Sequence, residues 1–186
     1  MSFTLLGILN AQAAGGAALP SSYDLLQTTT LPSSQTTVTL SNLSSLYGAD
    51  YQHLQVRMSI ARPNNDARAG GSIQINGSTG TYYHQLNMLG SSVTQGAGSG
   101  GTFSYAGADN QNKFCAMIVD INDAFETTKN TTVTWFNGQA GNSEPFVQIG
   151  STFLNSTAAV DSFGITAAAG FGAESRISLY GLKLGV

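Results

Sequence analysis

Residues 51–61, YQHLQVRMSIA, alternate apolar and polar side chains with a period of two. Leu54, Val56, Met58 and Ile60 fall on one side of an extended chain, and polar residues fall on the other, as in a half-buried β-strand. Further strand-like runs lie at residues 36–43, 71–77, 131–136, 145–153, 161–166 and 175–184. Clusters of Gly, Asn and Ser separate them. About eight or nine short strands joined by turns predict an all-β fold, an antiparallel two-sheet β-sandwich of jelly-roll type.

Several local details follow from the same pattern. The Asn76-Gly77 pair favours a tight turn, after which residues 79–86 are expected to return as the partner strand. The run KFCAMIVDI at 113–121 is apolar on both faces, which predicts a central strand covered on both sides. The glycine-rich segment 90–112 is expected to be a large surface loop, and residues 123–130 a turn or short helix.

The composition excludes several kinds of partner. Charged residues make up 9% of the chain, the net charge is −3, and only seven residues are basic, so we expect no nucleic-acid partner. The chain is 41% hydrophobic and should fold, but no window reaches the ~18 consecutive apolar residues of a membrane-spanning helix. Gly, Ser, Thr and Asn together account for 75 of the 186 residues, so solubility must come from hydroxyls, amides and backbone.

The first 22 residues differ from the rest in composition. They combine a short apolar run, FTLLGIL, with the small-residue stretch AAGGAALPSS. The tripeptide AQA fits a signal-peptidase site, but no Lys or Arg precedes Arg57, so the basic start of a signal peptide is missing. We therefore expect residues 1–22 to form an uncleaved docking arm and residues 23–186 to form the sandwich domain. The arm residues expected to bind a partner are Phe3, Leu5, Leu6, Ile8 and Leu9.

The sequence predicts no catalytic or metal site and no cofactor, so we do not expect an enzyme. The lone cysteine, Cys115, lies in an apolar run and is interpreted as a buried, inert thiol. His53 and His84 are isolated from each other and form no metal-ligand spacing. Asp120 and Asp123 form a close acidic pair, and we expect them to cap the turn that follows their strand.

Three aromatic residues are candidates for glycan contact. Tyr82, Tyr83 and Trp135 could stack on sugar rings. Consecutive residues of a strand point to opposite faces, so at most one of the two tyrosines is exposed on a given face. Trp135, in the run TVTWF, is interpreted as a core residue, which leaves glycan binding as the less favoured alternative.

Three segments of the chain follow a recurring pattern: residues 23–61, which open with YDLLQTTT and include HLQVR at 53–57; residues 73–86, IQINGSTGTYYHQL, with an Asn-Gly turn; and residues 175–186, SRISLYGLKLGV. In this pattern the chain resembles a module of tailed-bacteriophage virion proteins. The apolar leader LLGILNAQAAGG is also similar to leaders of such proteins. These motifs cover about half of the chain in pieces, and they are structural rather than catalytic.

The resemblance implies a β-sandwich, commonly a homotrimer, on the virion exterior, with the major capsid protein or another virion subunit as its partner. Members occur as capsid decoration (cement) proteins and as distal modules of tail fibres or spikes. This sequence has no shaft that would hold a tip away from the particle, so the decoration role is the favoured hypothesis. The alternative is a tail fibre, spike or neck module that binds host surface glycan.

Overall fold

A computed structural model describes residues 23–63, 69–80, 82–89, 91–98, 100–105, 114–139 and 145–183. The described elements are β1 (Tyr23–Thr30), β2 (Gln35–Ser41), α1 (Leu43–Tyr47), β3 (His53–Ile60), β4 (Ala69–Ile75), β5 (Tyr82–Leu89), β6 (Ser92–Gly98), β7 (Thr102–Tyr105), β8 (Cys115–Asn122), β9 (Thr132–Gln139), β10 (Phe146–Phe153), β11 (Ser162–Phe171) and β12 (Arg176–Leu182). The expected arm, residues 1–22, lies outside the described residues.

The strands form two antiparallel sheets. The larger sheet has eight strands in the order β1-β12-β3-β8-β9-β10-β5-β6, and the smaller has four in the order β2-β11-β4-β7. Within these, β1-β12-β3-β8 and β2-β11-β4-β7 show the strand order of two interlocked Greek keys, which is the jelly roll. Strands β9, β10, β5 and β6 extend the larger sheet at one edge. The predicted β-sandwich of jelly-roll type is therefore confirmed.

The core lies between the two sheets, where the period-two alternation places the inward side chains. Val56 of β3, Val119 of β8 and Ile165 of β11 are all fully buried in one hydrophobic cluster. The largest fully buried side chains are Trp135, Tyr105, Phe103, Phe163 and Phe171. Aromatic contacts continue through this layer, because the Tyr105 ring lies 5.3 Å from that of Phe171 and 5.9 Å from that of Phe103.

The glycine-rich segment 90–112 was wrongly predicted to be a surface loop. It contains β6, which pairs with β5 as a hairpin, and β7, which pairs with β4. Glycine is usually a poor strand residue. In β6, however, Gly96 and Gly98 lie directly against the side chains of Gln85 and Tyr83, where a Cβ atom would have little room.

The turn at Asn76-Gly77 is present, but its predicted partner strand is wrong. Both residues have positive φ, and Ile75 and Ser78 form the bridge that closes the turn. Pairing ends at that bridge, because β4 is already bordered by β11 and β7. The following strand β5 therefore joins the other sheet. The side chain of Asn76 instead binds the backbone at 159–162.

No helix forms at residues 123–130, where the structure has a turn and bends. The short helix α1 at Leu43–Tyr47 was not predicted, because five residues are too few to show a helical period. Leu43 is fully buried and anchors this turn of helix against the core.

The strand predicted at 113–121 exists as β8, but it is covered on one side only. Cys115, Met117, Val119 and Ile121 are buried in the core, whereas Ala116 and Ile118 are exposed on the opposite side. The reason is that the smaller sheet covers a single face of the larger one. This difference between prediction and structure defines the candidate functional site.

Candidate functional site

Of the residues predicted to bind partners, the structure describes Tyr82, Tyr83 and Trp135. Phe3, Leu5, Leu6, Ile8 and Leu9 lie outside the described residues. Tyr82 is 59% exposed, whereas Tyr83 turns the other way and packs against the core, as strand geometry requires. Trp135 is 2% exposed, so its interpretation as a core residue is confirmed and its ring is not open for stacking on a sugar. Only Tyr82 of the three presents its ring to solvent.

The most unusual surface is on the outer face of the larger sheet, the side turned away from the smaller sheet. On the five neighbouring strands β8, β9, β10, β5 and β6 of this face, seven large apolar side chains besides Tyr82 are 38–59% exposed. We call them the apolar face: Leu86 and Met88 of β5, Val93 of β6, Ile118 of β8, Phe136 of β9, and Val147 and Ile149 of β10. None of the seven carries a charge.

Strand register makes the apolar face continuous. Ile118 is directly opposite Phe136, Phe136 is opposite Ile149, and Ile149 is opposite Leu86, which forms one row across four strands. Residues directly opposite each other across an antiparallel pair are in side-chain contact range. The sequence showed only isolated apolar residues on separate strands, so the row could be recognised only after the pairing was known.

The next row on the same face combines small and large residues. Ala116 is opposite Gly138, Gly138 is opposite Val147, and Val147 is opposite Met88. Because Ala116 and Gly138 have almost no side chain, a groove of about 660 Å³ opens above them, with Phe136 among its walls. The face thus has a protruding aromatic ring beside a depression floored by small residues.

A second groove of about 750 Å³ lies on the other side of the apolar row. Its lining is more polar and includes His84, Gln95, Thr134 and Ser151. Hydrogen-bonding side chains therefore lie beside the exposed apolar side chains of Leu86 and Ile149 in this groove.

Tyr82 lies at the end of β5, two residues from His84 on the same face. It is directly opposite Phe153, and the two ring centroids are 6.0 Å apart. An exposed tyrosine ring beside a half-buried phenylalanine, next to a polar groove, offers the two kinds of contact that a sugar ring uses.

An inward-facing amide network holds the extension strands to the rest of the sandwich. Gln148 of β10 donates from Nε2 to Gln85 Oε1 (2.8 Å), and its Oε1 accepts the backbone N–H of Ser104 in β7 (2.8 Å). Asn137 of β9 donates to the carbonyl of Ser104. Gln148 and Asn137 are 1% and 0% exposed, so these bonds form away from solvent and fix the position of the strands that carry the apolar face.

Three strands within the segments that carry the family resemblance are neighbours in the sheet, because β12 lies between β1 and β3. The guanidinium of Arg57 lies 4.9 Å from the Tyr180 ring centroid and 5.6 Å from that of Tyr23. Both distances are within the range of cation–π attraction. This cluster borders the apolar face, since Arg57 is directly opposite Ile118.

The titratable groups form structural contacts. Asp123, at φ 49°, accepts hydrogen bonds from Lys129 and from Gln52, and its backbone N–H donates to His53 Nδ1 (2.8 Å). The Lys129 hydrogen bond is the main reason that the pKa of Asp123 is below its ordinary value. Asp120 lies within β8 and accepts a hydrogen bond from Gln55 (2.7 Å). Asp123 therefore stabilises the turn after β8, whereas Asp120 joins two strands and does not cap the turn.

Within the described ranges, no group of three His, Cys, Asp or Glu side chains is placed to hold a metal ion. Cys115 is fully buried, and burial raises the pKa of its thiol to about 11, which confirms the interpretation of a buried thiol. A thiol with so high a pKa is a poor nucleophile at neutral pH, because the thiolate is the reactive form.

No helix among the described residues is long and apolar enough to cross a membrane. Comparison of the chain with protein-family models, with curated proteins and with solved structures found no match.

Proposed function

We propose that this chain is a structural protein of a tailed-bacteriophage particle, a decoration (cement) protein on the virion exterior. It acts as a homotrimer, and residues 1–22 dock onto the major capsid protein or another virion subunit. It stabilises the particle by burying apolar surface against other subunits rather than by catalysing a reaction, and it uses no cofactor.

The observation that carries this proposal is the apolar face. Taking ~150–250 Å² for a whole large side chain, its exposed fractions amount to ~600 Å², at the upper end for a monomer's largest apolar patch. Patches at this end of the range are often functional, and protein–protein contact is one of the uses they serve. The low charge of the chain suits a dense array, where repulsion between many copies would oppose assembly.

The resemblance to virion proteins supports the setting. Its motifs at 23–30, 53–57 and 175–186 include residues of β1, β3 and β12, which are adjacent strands, whereas the Asn-Gly turn follows β4 in the smaller sheet. The Arg57 cluster on the three adjacent strands is built from residues of these motifs: Tyr23, Arg57 and Tyr180.

The energetics of the arm explain why a trimer is expected. Burial of Phe3, Leu5, Leu6, Ile8 and Leu9 at ~1.5–3 kcal/mol each contributes on the order of 10 kcal/mol. Ordering about 20 residues at ~1–2 kcal/mol each opposes it. A single arm therefore binds weakly, whereas three arms on one trimer bind with a high effective concentration.

The test is the copy number of the chain in purified virions, measured by quantitative mass spectrometry against the major capsid protein. A ratio near one to one is expected. Copies in the tens or fewer would refute the decoration role and would leave a tail or neck location. Removal of residues 1–22 should abolish attachment to the shell while leaving a folded domain, because the described core residues lie between Leu31 and Leu179.

A second candidate function is glycan binding by a tail module, and the polar groove beside Tyr82 and Phe153 favours it. A glycan array with the purified protein tests this candidate. Specific binding that is lost in Tyr82→Ala, but kept in Tyr23→Ala as the matched exposed tyrosine, would support it.

A further inference from the structure

We infer that copies of this chain meet through the apolar face, with Phe136 of one copy inserted into the groove above Ala116 and Gly138 of the next. The inference rests on the self-association in the proposed function, for which it names the surface. It does not depend on what the assembled particle is.

The shape of the face is complementary to itself. Phe136 lies in the middle of the sheet with 52% of its surface exposed, and it has no covering among the described residues. The 660 Å³ groove next to it is floored by Ala116 and Gly138 and bounded by Met88 and Val147. A large aromatic residue that enters an apolar pocket is the usual form of a binding hot spot.

The size of the face also fits a second copy. Its ~600 Å² of exposed apolar surface is most of the ~800 Å² that each partner of a stable interface buries. Polar residues around the face, including His84, Gln95 and Thr134, form a rim that can supply the rest of the contact area.

The charge distribution permits contact with an identical surface. In a symmetric assembly, residues near the axis approach their own copies, so a charged face would repel itself. The seven residues of the apolar face are uncharged, and Arg57 at its border is engaged by the rings of Tyr23 and Tyr180. The neighbouring edge strand β6, SVTQGAG, lacks the charges and proline that usually keep an edge from pairing.

Phe136 and the groove lie side by side on one face. Two copies can face each other across a two-fold axis, or three copies can each turn Phe136 toward the groove of the next, in which case the ~600 Å² of each face is divided between two neighbours. The proposed function specifies three copies, so the expected mass is three times the 19.3 kDa of one chain.

The test measures the self-association constant of the full chain by sedimentation velocity over a range of concentrations. Phe136→Lys is expected to raise the dissociation constant at least ~30-fold, the effect of losing a hot spot. Phe136→Thr, which keeps a strand-forming residue without adding charge, should weaken association in the same direction. Leu46→Lys is the matched control, because Leu46 is 58% exposed but lies on α1 and should leave association unchanged.

A groove-filling variant separates specific insertion from general stickiness. Ala116→Leu adds apolar surface to the face but occupies the groove, so insertion of Phe136 predicts weaker association. Stronger association in Ala116→Leu would overturn the proposed contact. Circular dichroism identifies any variant that fails to fold, and the variants that do fold then test whether Phe136 enters the groove.

Three further results would overturn the inference. The first is a wild-type chain that is monomeric at all concentrations. The second is a Phe136→Thr variant that associates as strongly as the wild type. The third is a chain that no longer associates once residues 1–22 are removed, although its apolar face is unchanged. The last would make the arm, rather than the apolar face, the contact between copies. None of these measurements involves virions, so a failure here is distinct from a failure of the decoration role, which the copy number tests.

Discussion

Gly150→Ala should be strongly destabilising because a buried tryptophan occupies the space that a side chain at this position would need. Gly150 of β10 is directly opposite Trp135 of β9, on the inner side of the larger sheet. A Cβ atom on Gly150 would lie 2.2 Å from Cζ2 and 2.5 Å from Cε2 of the indole. Ordinary carbon contacts begin near 3.4 Å, so the ring must move by more than 1 Å. Trp135 is 2% exposed and belongs to the hydrophobic core, where side chains are close-packed.

Overpacking of a core typically destabilises by ~1–3 kcal/mol, and a displaced indole should reach the upper end, about 3 kcal/mol. For a chain of this length that corresponds to a fall in Tm of ~6–12 °C. The assay is thermal and urea unfolding, followed by circular dichroism and tryptophan fluorescence. The fluorescence also reports on the environment of Trp135, the only tryptophan in the chain.

Gly164→Ala is the matched control, since Gly164 is also buried in the middle of a strand but has no neighbour closer than 3.4 Å to a Cβ position. It should be within about 1 kcal/mol of the wild type. In a double-mutant cycle, Trp135→Leu should reduce the effect of Gly150→Ala by ~1–3 kcal/mol, because the ring that causes the clash is gone. The reasoning is refuted if Gly150→Ala is as stable as Gly164→Ala, or if the two substitutions are additive.

Three further predictions concern buried polar groups and the thiol. Gln148→Ala should lower the free energy of unfolding, measured by urea denaturation, by ~2–4 kcal/mol. The substitution removes two hydrogen bonds and leaves the backbone N–H of Ser104 without its Gln148 acceptor. A loss under about 1 kcal/mol would contradict this prediction. The difference in unfolding free energy between wild type and Asp123→Asn should be constant above pH ~5 and should shrink as the pH falls below ~4. The pKa of Asp123 is lowered in the folded state, so its carboxylate, paired with Lys129, stabilises the fold above the ordinary carboxyl pKa and stops doing so when it is protonated. A difference that does not change with pH would exclude this contribution. Cys115, with its pKa raised to about 11, should resist iodoacetamide at pH 8 in the native protein and react fully in denaturant, as followed by mass spectrometry; rapid native labelling would show that the thiol is accessible.

The strands were largely predictable because their signal is local. The alternation in residues 51–61 depends only on which side chains are apolar, and it places β3 correctly. The two tyrosines at 82 and 83 were correctly expected on opposite faces for the same reason. Segment 90–112 was missed because glycine weakens a strand by itself, and β6 is recognised only through its partner β5.

The candidate site was less accessible to prediction. Phe136, Ile149 and Leu86 are separated by many residues in the sequence, and each can be read as an ordinary strand residue. Their alignment in one row depends on strand order and register, which are set by non-local pairing. The hydrophobic pattern of β8 is apolar on both faces, as predicted, but the predicted burial of both faces was wrong. It indicates an uncovered apolar surface rather than complete burial.

The sequence by itself determined that this chain forms antiparallel sheets, since alternation, turn residues and low charge all act within a few residues of one another. It also determined which side chains can be buried. The tertiary structure alone decided which of them are buried, because a four-stranded sheet can cover only one face of an eight-stranded one. The apolar residues on the other face are left in contact with solvent at Phe136 and its neighbours, and that exposure is the physical basis for the proposed contact between copies.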